Sequence, residues 1–384
     1  MQPFTIEIPR QQIDDLRNRL QRIQWPSGFD AEPWSLGADA AFMRRLVDYW
    51  TNEYDWRKQE RWLNGFPQFK ANIGGLDIHF VHIRGEGKSP KPLIVTHGWP
   101  GSFIEHLKLS SYLARPSQYG GDPEDSFDIV IPSLPGYGFS QIPDKPGMGP
   151  KAVAPLWAEL MTLLGYETFY AQGGDVGSSV STWLAALYPE RVKALHLNYI
   201  LGNLRPSSGE GERPLSADEQ DYLDRMQDWA RREGAYASLH ATKPDTPAFA
   251  LSDSPVGLAA WITEKFRAWS DCGGDLENAV SLDELLTNIS IYWFTNTVAS
   301  SMRMYAESAR VPLRFGPGEG VAVPTGVTLF PGEIPMPPRE WAERVYNIVY
   351  WEHAPRGGHF ASLEQPALLA EQIRAFVGSV LREE

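Results

Sequence analysis

The chain has 384 residues, 42% of them hydrophobic, and a net charge of −13. That length supports a large buried core, in one big domain or roughly two to three smaller units, and the acidic balance argues against nucleic acid or an anionic membrane as partner. A single cysteine, Cys272, excludes an internal disulfide, the first residues lack a basic, apolar leader, and no run of about 18 apolar residues marks a transmembrane helix. A soluble, cytoplasmic protein is expected.

Residues 1 to about 65 read as helices in a Trp-rich, charged setting. Ile13, Leu16 and Leu20 recur at helical spacing, as do Phe42, Leu46, Val47 and Trp50. Trp25, Trp34, Trp50, Trp56 and Trp62 read as anchors that fasten this arm to a larger body. Over 73–83 the period changes, and a Gly74-Gly75 turn marks a hairpin. His79 and His82 stand three apart on a strand, hence on opposite faces, which suits a structural role better than a shared metal. Short apolar strands follow at 92–96 and 127–132, each running into a loop of special composition, 97–102 and 136–140. An amphipathic helix at 152–165 leads to an apolar run at 168–171, then Gly173-Gly174-Asp175-Val176-Gly177, then a helical pattern from Ser178. Another strand follows at 194–198. This strand, loop, helix rhythm indicates an α/β fold with a mostly parallel sheet, its active site at the carboxyl ends of the strands. Residues 203–315 interrupt the rhythm with helices broken at Pro244, Pro247 and Pro255, in the manner of a lid. Strands at 327–330 and 345–349 and a last helix over 366–381 complete the pattern.

Asp175 is expected on a sharp strand-to-helix turn with small residues two before and two after. That is the form of a nucleophile elbow, with Asp where Ser usually stands. From this stretch alone, an Asp capping the following helix is the alternative. A nucleophile needs a base downstream, and His196, His240, His353 and His359 are available. His359 lies in a Gly-rich loop between the last strand and the last helix, where a triad His belongs, and His353 is its rival. Glu333 follows the strand at 327–330 through Pro331-Gly332 and is placed to be the acid, whereas Glu340 and Glu343 fall on the next helix. The backbone N–H groups of Trp99 and Val176 are positioned as oxyanion donors. A carboxylate nucleophile attacks saturated carbon and forms an ester, so epoxides or alkyl halides are the substrates to consider. An epoxide wants a proton donor and a halide wants N–H donors. The Val176 side chain donates nothing, and the lid holds Tyr222, Tyr236, Tyr292 and Tyr305, which favours the epoxide.

With these motifs in place, the chain resembles the epoxide hydrolases of the α/β-hydrolase superfamily, in the microsomal and juvenile-hormone epoxide hydrolase branch. The resemblance rests on 4–9, 56–66, 97–102 (His-Gly-Trp-Pro-Gly-Ser), 136–140 (Gly-Tyr-Gly-Phe-Ser), 241–246, 254–259 and 356–361. It implies Asp175 as nucleophile, His359 as base, Glu333 as acid, and Tyr305 and Tyr236 as donors to the epoxide oxygen. It also implies an α/β-hydrolase fold with an N-terminal arm and hairpin (1–90), core segments at 91–202 and 316–384, and a helical lid at 203–315. The implied reaction uses no cofactor and no metal, and the partner is a small-molecule epoxide. A homodimer is one admissible assembly. Three departures from the family pattern are read here: Val176 replaces the usual Trp, His240 stands where Gln is common, and a form without the membrane anchor of microsomal members is expected. A haloalkane dehalogenase or a non-catalytic binding protein on the same fold are the alternative readings.

Overall fold

The computed structural model describes all residues except 203, 205–212, 317 and 384, so the expected lid start at 203 lies outside the described residues. Strand β1 (Gln2–Pro3) precedes helices α1 (Arg10–Leu20), α2 (Ala40–Asn52) and α3 (Trp56–Leu63). The hairpin β2 (Gln68–Ile73) and β3 (Leu76–Ile83) leads into β4 (Lys91–Thr96), α4 (Leu107–Ala114), β5 (Phe127–Pro132), α5 (Pro150–Leu163), β6 (Phe169–Gly173), α6 (Asp175–Leu187) and β7 (Val192–Leu197). Six helices follow: α7 (Ala217–Glu233), α8 (Ala235–Thr242), α9 (Asp245–Asp253), α10 (Pro255–Trp269), α11 (Leu282–Thr295) and α12 (Val298–Arg310). The chain returns to the sheet with β8 (Val321–Leu329), α13 (Arg339–Ala342) and β9 (Tyr346–His353), and ends in α14 (Ala361–Glu364) and α15 (Pro366–Glu383).

The strands form one sheet in the order β1-β2-β3-β5-β4-β6-β7-β8-β9. The hairpin edge is antiparallel, and every pairing from β5 through β9 is parallel. Parallel strands are covered by helices on both faces, which explains why β5 and β6 are buried at every position. Thr96, the last residue of β4, pairs with Gly173, the last of β6. The loops after these two strands therefore emerge side by side at the carboxyl edge, where ligands bind in such sheets.

The arm is amphipathic as its spacing predicts, burying Ile13, Leu16 and Leu20 in α1 and Leu46, Val47 and Trp50 in α2. Its tryptophans divide. Trp50 and Trp56 are buried, but Trp25 and Trp34 are only half-buried, and Trp62 is exposed. Arg44 lies over the Trp25 ring and Arg267 over that of Trp34, so a cation covers the face that the core does not. Polar contacts tie the arm to the inserted helices: the Tyr49 hydroxyl and the Gln59 amide both donate to Asp283 at 2.9 Å. His79 and His82 are buried and hydrogen-bonded, His79 to Ser133 and Gln68, and His82 to Tyr166. Burial depresses their proton affinity, to about 3 for His79 and about 4 for His82, so both are neutral packing groups. Among the described residues, no helix is long and apolar enough to cross a membrane.

Candidate active site

Asp175 lies on the turn between β6 and α6 with φ 47°, a left-handed conformation that non-glycine residues seldom adopt. Close packing holds it there. A Cβ at Gly177 would meet the Thr96 carbonyl oxygen at 1.9 Å, and one at Gly98 would meet Asp175 Oδ1 at 2.2 Å. Glycine at 177 thus lets α6 press against the end of β4. Glycine at 98 lets the loop after β4 wrap the carboxylate.

The carboxylate is held from two sides. The Trp99 backbone N–H donates to Asp175 Oδ1 at 2.7 Å, and His359 Nε2 lies 3.3 Å from Oδ2. The other ring nitrogen of His359, Nδ1, is 2.6 Å from Glu333 Oε1. The backbone brings these two together: Gly332 bridges Gly358 in parallel, and the Gly332 N–H donates to the Gly357 carbonyl at 2.9 Å. The His359 and Glu333 side chains are 2% and 1% exposed, against 18% for Asp175, so only the aspartate opens toward an incoming molecule. Burial opposes charge on the imidazole. The Glu333 carboxylate and the contacts to Asp175 outweigh it and hold the proton affinity of His359 well above the ordinary range. Burial also raises Glu333, against the pull of His359. The Val176 N–H heads the first turn of α6, one of the donors a helix leaves unsatisfied. His353 sits exposed at the end of β9, away from this group, and His196 is buried against Thr328.

The four lid tyrosines separate cleanly. Tyr222 packs on Trp341, and the Tyr292 hydroxyl donates to the Gly101 carbonyl at 2.7 Å. Tyr236, in α8, lies parallel to Trp99 with centroids 5.1 Å apart. Tyr305, in α12, meets Trp99 edge-on at 5.8 Å. Tyr236 is buried and Tyr305 half-buried, desolvation raises the proton affinity of both, and both feel the Asp175 charge and each other. They crown the residue whose N–H holds the carboxylate. His240 completes this wall, 4.7 Å from Trp99 and 5.0 Å from Tyr305. The Trp261 indole N–H donates to its Nε2 at 3.2 Å, and burial lowers its pKa to about 3. The Gln-to-His departure therefore puts a neutral ring beside both tyrosines.

Three polar residues belong to the site that pattern reading passed over. Glu364 accepts the N–H groups of Gly358, Phe360 and Asp271 at 2.8–3.0 Å, clamping the chain on either side of His359. Burial pushes it up to about 7. Glu105 is fully buried, pushed up by that burial to about 8, and lines a cavity of about 20 Å³ with Asp175, His359 and Asn198. That volume suits a single water. None of these residues carries a motif of its own. Among the described residues, no cluster of His, Cys, Asp or Glu could hold a metal ion.

A carboxylate on a strained elbow, faced by a His–Glu pair and a backbone donor at the carboxyl edge of a parallel sheet, defines an α/β-hydrolase. Residues 91–238 match the family model for the alpha/beta hydrolase fold, and residues 1–106 match that for the epoxide hydrolase N terminus. The chain is 40% identical to epoxide hydrolase 1 of Oryctolagus cuniculus, across all of this chain and 90% of that one. The structure of Aspergillus niger epoxide hydrolase superposes with a TM-score of 0.86 at 32% identity, covering 99% of this chain and 96% of the other. The juvenile hormone epoxide hydrolase of the silkworm Bombyx mori superposes at 0.89 with 29% identity, covering 99% and 95%. The chain belongs to the epoxide hydrolases, and the addition of water to an epoxide is its activity.

Proposed function

We propose that this hydrolysis runs in two steps through an ester on Asp175. Asp175 Oδ2 attacks a carbon of the epoxide. The C–O bond breaks, its electron pair goes to the oxygen, and Tyr236 or Tyr305 supplies the proton. Oδ1, already held by the Trp99 N–H, becomes the ester carbonyl oxygen. His359, oriented by Glu333, then takes a proton from water, and the resulting hydroxide attacks the Asp175 carbonyl carbon. The oxyanion that forms on Oδ1 meets the N–H groups of Trp99 and Val176; its collapse breaks the ester C–O bond, the proton held by His359 passes to the departing alkoxide oxygen to give the vicinal diol, and the proton of the new Asp175 carboxyl returns to the tyrosine.

The observation that carries this reading is the unbroken line Glu333–His359–Asp175–Trp99 N–H, with both tyrosines packed on Trp99. The small cavity lined by Asp175, His359 and Glu105 includes no lid residue, so it suits the attacking water, on the side away from the alkyl group. Ester formation removes the Asp175 charge. That charge is part of what holds the proton on His359, so the imidazole becomes a freer base when water must be activated.

The test is a single-turnover comparison. Tyr236→Phe and Tyr305→Phe are each expected to slow ester formation by roughly 100-fold while leaving ester decay near its original rate. Equal slowing of both steps would remove the tyrosines from the proton-donor role. An alkyl halide is the poorer fit, because its leaving anion needs no proton. We also read residues 1–90 as an arm and hairpin unit, 91–202 and 316–384 as the core, and 203–315 as the lid. A cytoplasmic setting agrees with the single cysteine, and a homodimer can be checked by sedimentation.

A further inference from the structure

Lys265, in α10, has no part in the steps above, yet it is buried beside them. Its side chain is 9% exposed, and its ammonium lies 4.8 Å from the centre of the Tyr236 ring and 5.7 Å from that of Trp269. Burying an ammonium is costly unless it is paired. Glu264 pairs with it at 2.6 Å, but Glu264 is itself 22% exposed, and that ion pair could form without carrying the ammonium in over two aromatic faces. Tyr236 is meanwhile held parallel to Trp99 at an interplanar angle of 11°. The phenol is thus fixed by the indole and the ammonium together.

We propose that Lys265 is a positioning residue of ring opening that acts through Tyr236, holding the ring against Trp99 and stabilising the charge the ring gains as its proton passes to the epoxide oxygen. The proposal rests on the reading of Tyr236 as a proton donor. A cation over an aromatic face is attracted by the ring's electron density. Loss of the phenolic proton raises that density, so the attraction grows between ground state and transition state, and only such growing interactions accelerate a step. The setting calls for a positive charge. Burial, Asp175, Glu264 and Glu233 all make the Tyr236 hydroxyl a weaker acid, and only the Tyr305 hydroxyl works the other way. His240, on the same helix face, stays neutral, because burial and then Lys265 itself depress its proton affinity. The Lys265 ammonium, 4.8 Å from the ring centre, is the positive charge that faces this ring.

Rapid-quench single turnover of the full chain, with styrene oxide as probe, tests this. Lys265→Met keeps the aliphatic stem. It is expected to slow ester formation by about tenfold to thirtyfold, the effect of a desolvated cation–π contact, and to leave ester decay within about twofold. Lys265→Arg should recover the rate to within about threefold. In a Tyr236→Phe background, where no proton leaves the ring, Lys265→Met should add less than about twofold. The proposal is overturned if Lys265→Met leaves ester formation unchanged, slows both steps alike, or costs as much in the Tyr236→Phe background as in the wild type. A separate result, unaltered ester formation in Tyr236→Phe alone, would sink the reading of Tyr236 and is distinguishable from all three.

Discussion

His359→Gln is expected to trap the enzyme as an ester. In the proposed reaction, attack on the epoxide uses the Asp175 carboxylate, which the Trp99 N–H orients, and a proton from a tyrosine. His359 enters only when water must be deprotonated. With glutamine in its place, ester formation should persist while ester decay falls by roughly 10³-fold, in line with the loss of a positioned general base. Intact mass spectrometry after a brief exposure to an epoxide should show nearly all of the protein heavier by the mass of one substrate. Peptide mapping should place that mass on the segment that contains Asp175. A variant that stays unmodified, yet has lost turnover, would mean that His359 serves the first step, and the division of labour argued from its 2.6 Å contact with Glu333 would be wrong.

Asp175→Ala removes the nucleophile and should abolish both turnover and adduct formation, a loss of about 10⁵-fold or more. The fold should tolerate the change. Asp175 occupies a strained left-handed position, but the close approach of Gly177 to the Thr96 carbonyl that shapes the elbow does not involve the Asp175 side chain and remains. A calorimetric midpoint near that of the wild type, together with absent turnover, separates chemistry from folding. Combining the change with His359→Gln should add almost nothing, because the base has no ester left to act on.

Much of this site was legible in the chain, for identifiable reasons. The elbow shows itself because a strained turn demands glycines at fixed spacing and a switch from apolar strand to helix, and both are written around Asp175. Glu333 and His359 were readable because chain order in this sheet ties each to the end of a particular strand. Sequence cannot express the contact that joins them, the Gly332–Gly358 bridge, since it depends on how two loops settle. The tyrosines show the limit differently. Composition put four in the inserted helices without saying which way each faced, and the resemblance to a family was needed to single out two. Packing shows why the other two stand apart: Tyr292 spends its hydroxyl on the Gly101 carbonyl, and Tyr222 lies against Trp341. The arm's tryptophans were overread at Trp62, which is exposed, whereas Trp25 packs on the core while only half-buried and Trp34 meets Arg267 of α10. Glu105, Glu364 and Lys265 were invisible for one shared reason. A lone charged residue on a helical pattern reads as solvated, and only tertiary packing reveals that its head group turns inward.

The position after the nucleophile shows how little of the chemistry depends on its side chain. The resemblance leads one to expect Trp where Val176 stands, yet the proposed second step asks of this position only a first-turn backbone N–H, which any residue but proline supplies.

The central claim, that Asp175 carries the substrate as an ester, is tested most directly by a single turnover in H₂¹⁸O with enzyme in excess. Because water attacks the ester carbonyl and not the epoxide, the diol from the first turnover should contain no ¹⁸O, and one ¹⁸O should appear in the Asp175 carboxylate. A diol labelled in the first turnover, with Asp175 unlabelled, would contradict the account and mean that water opens the epoxide itself.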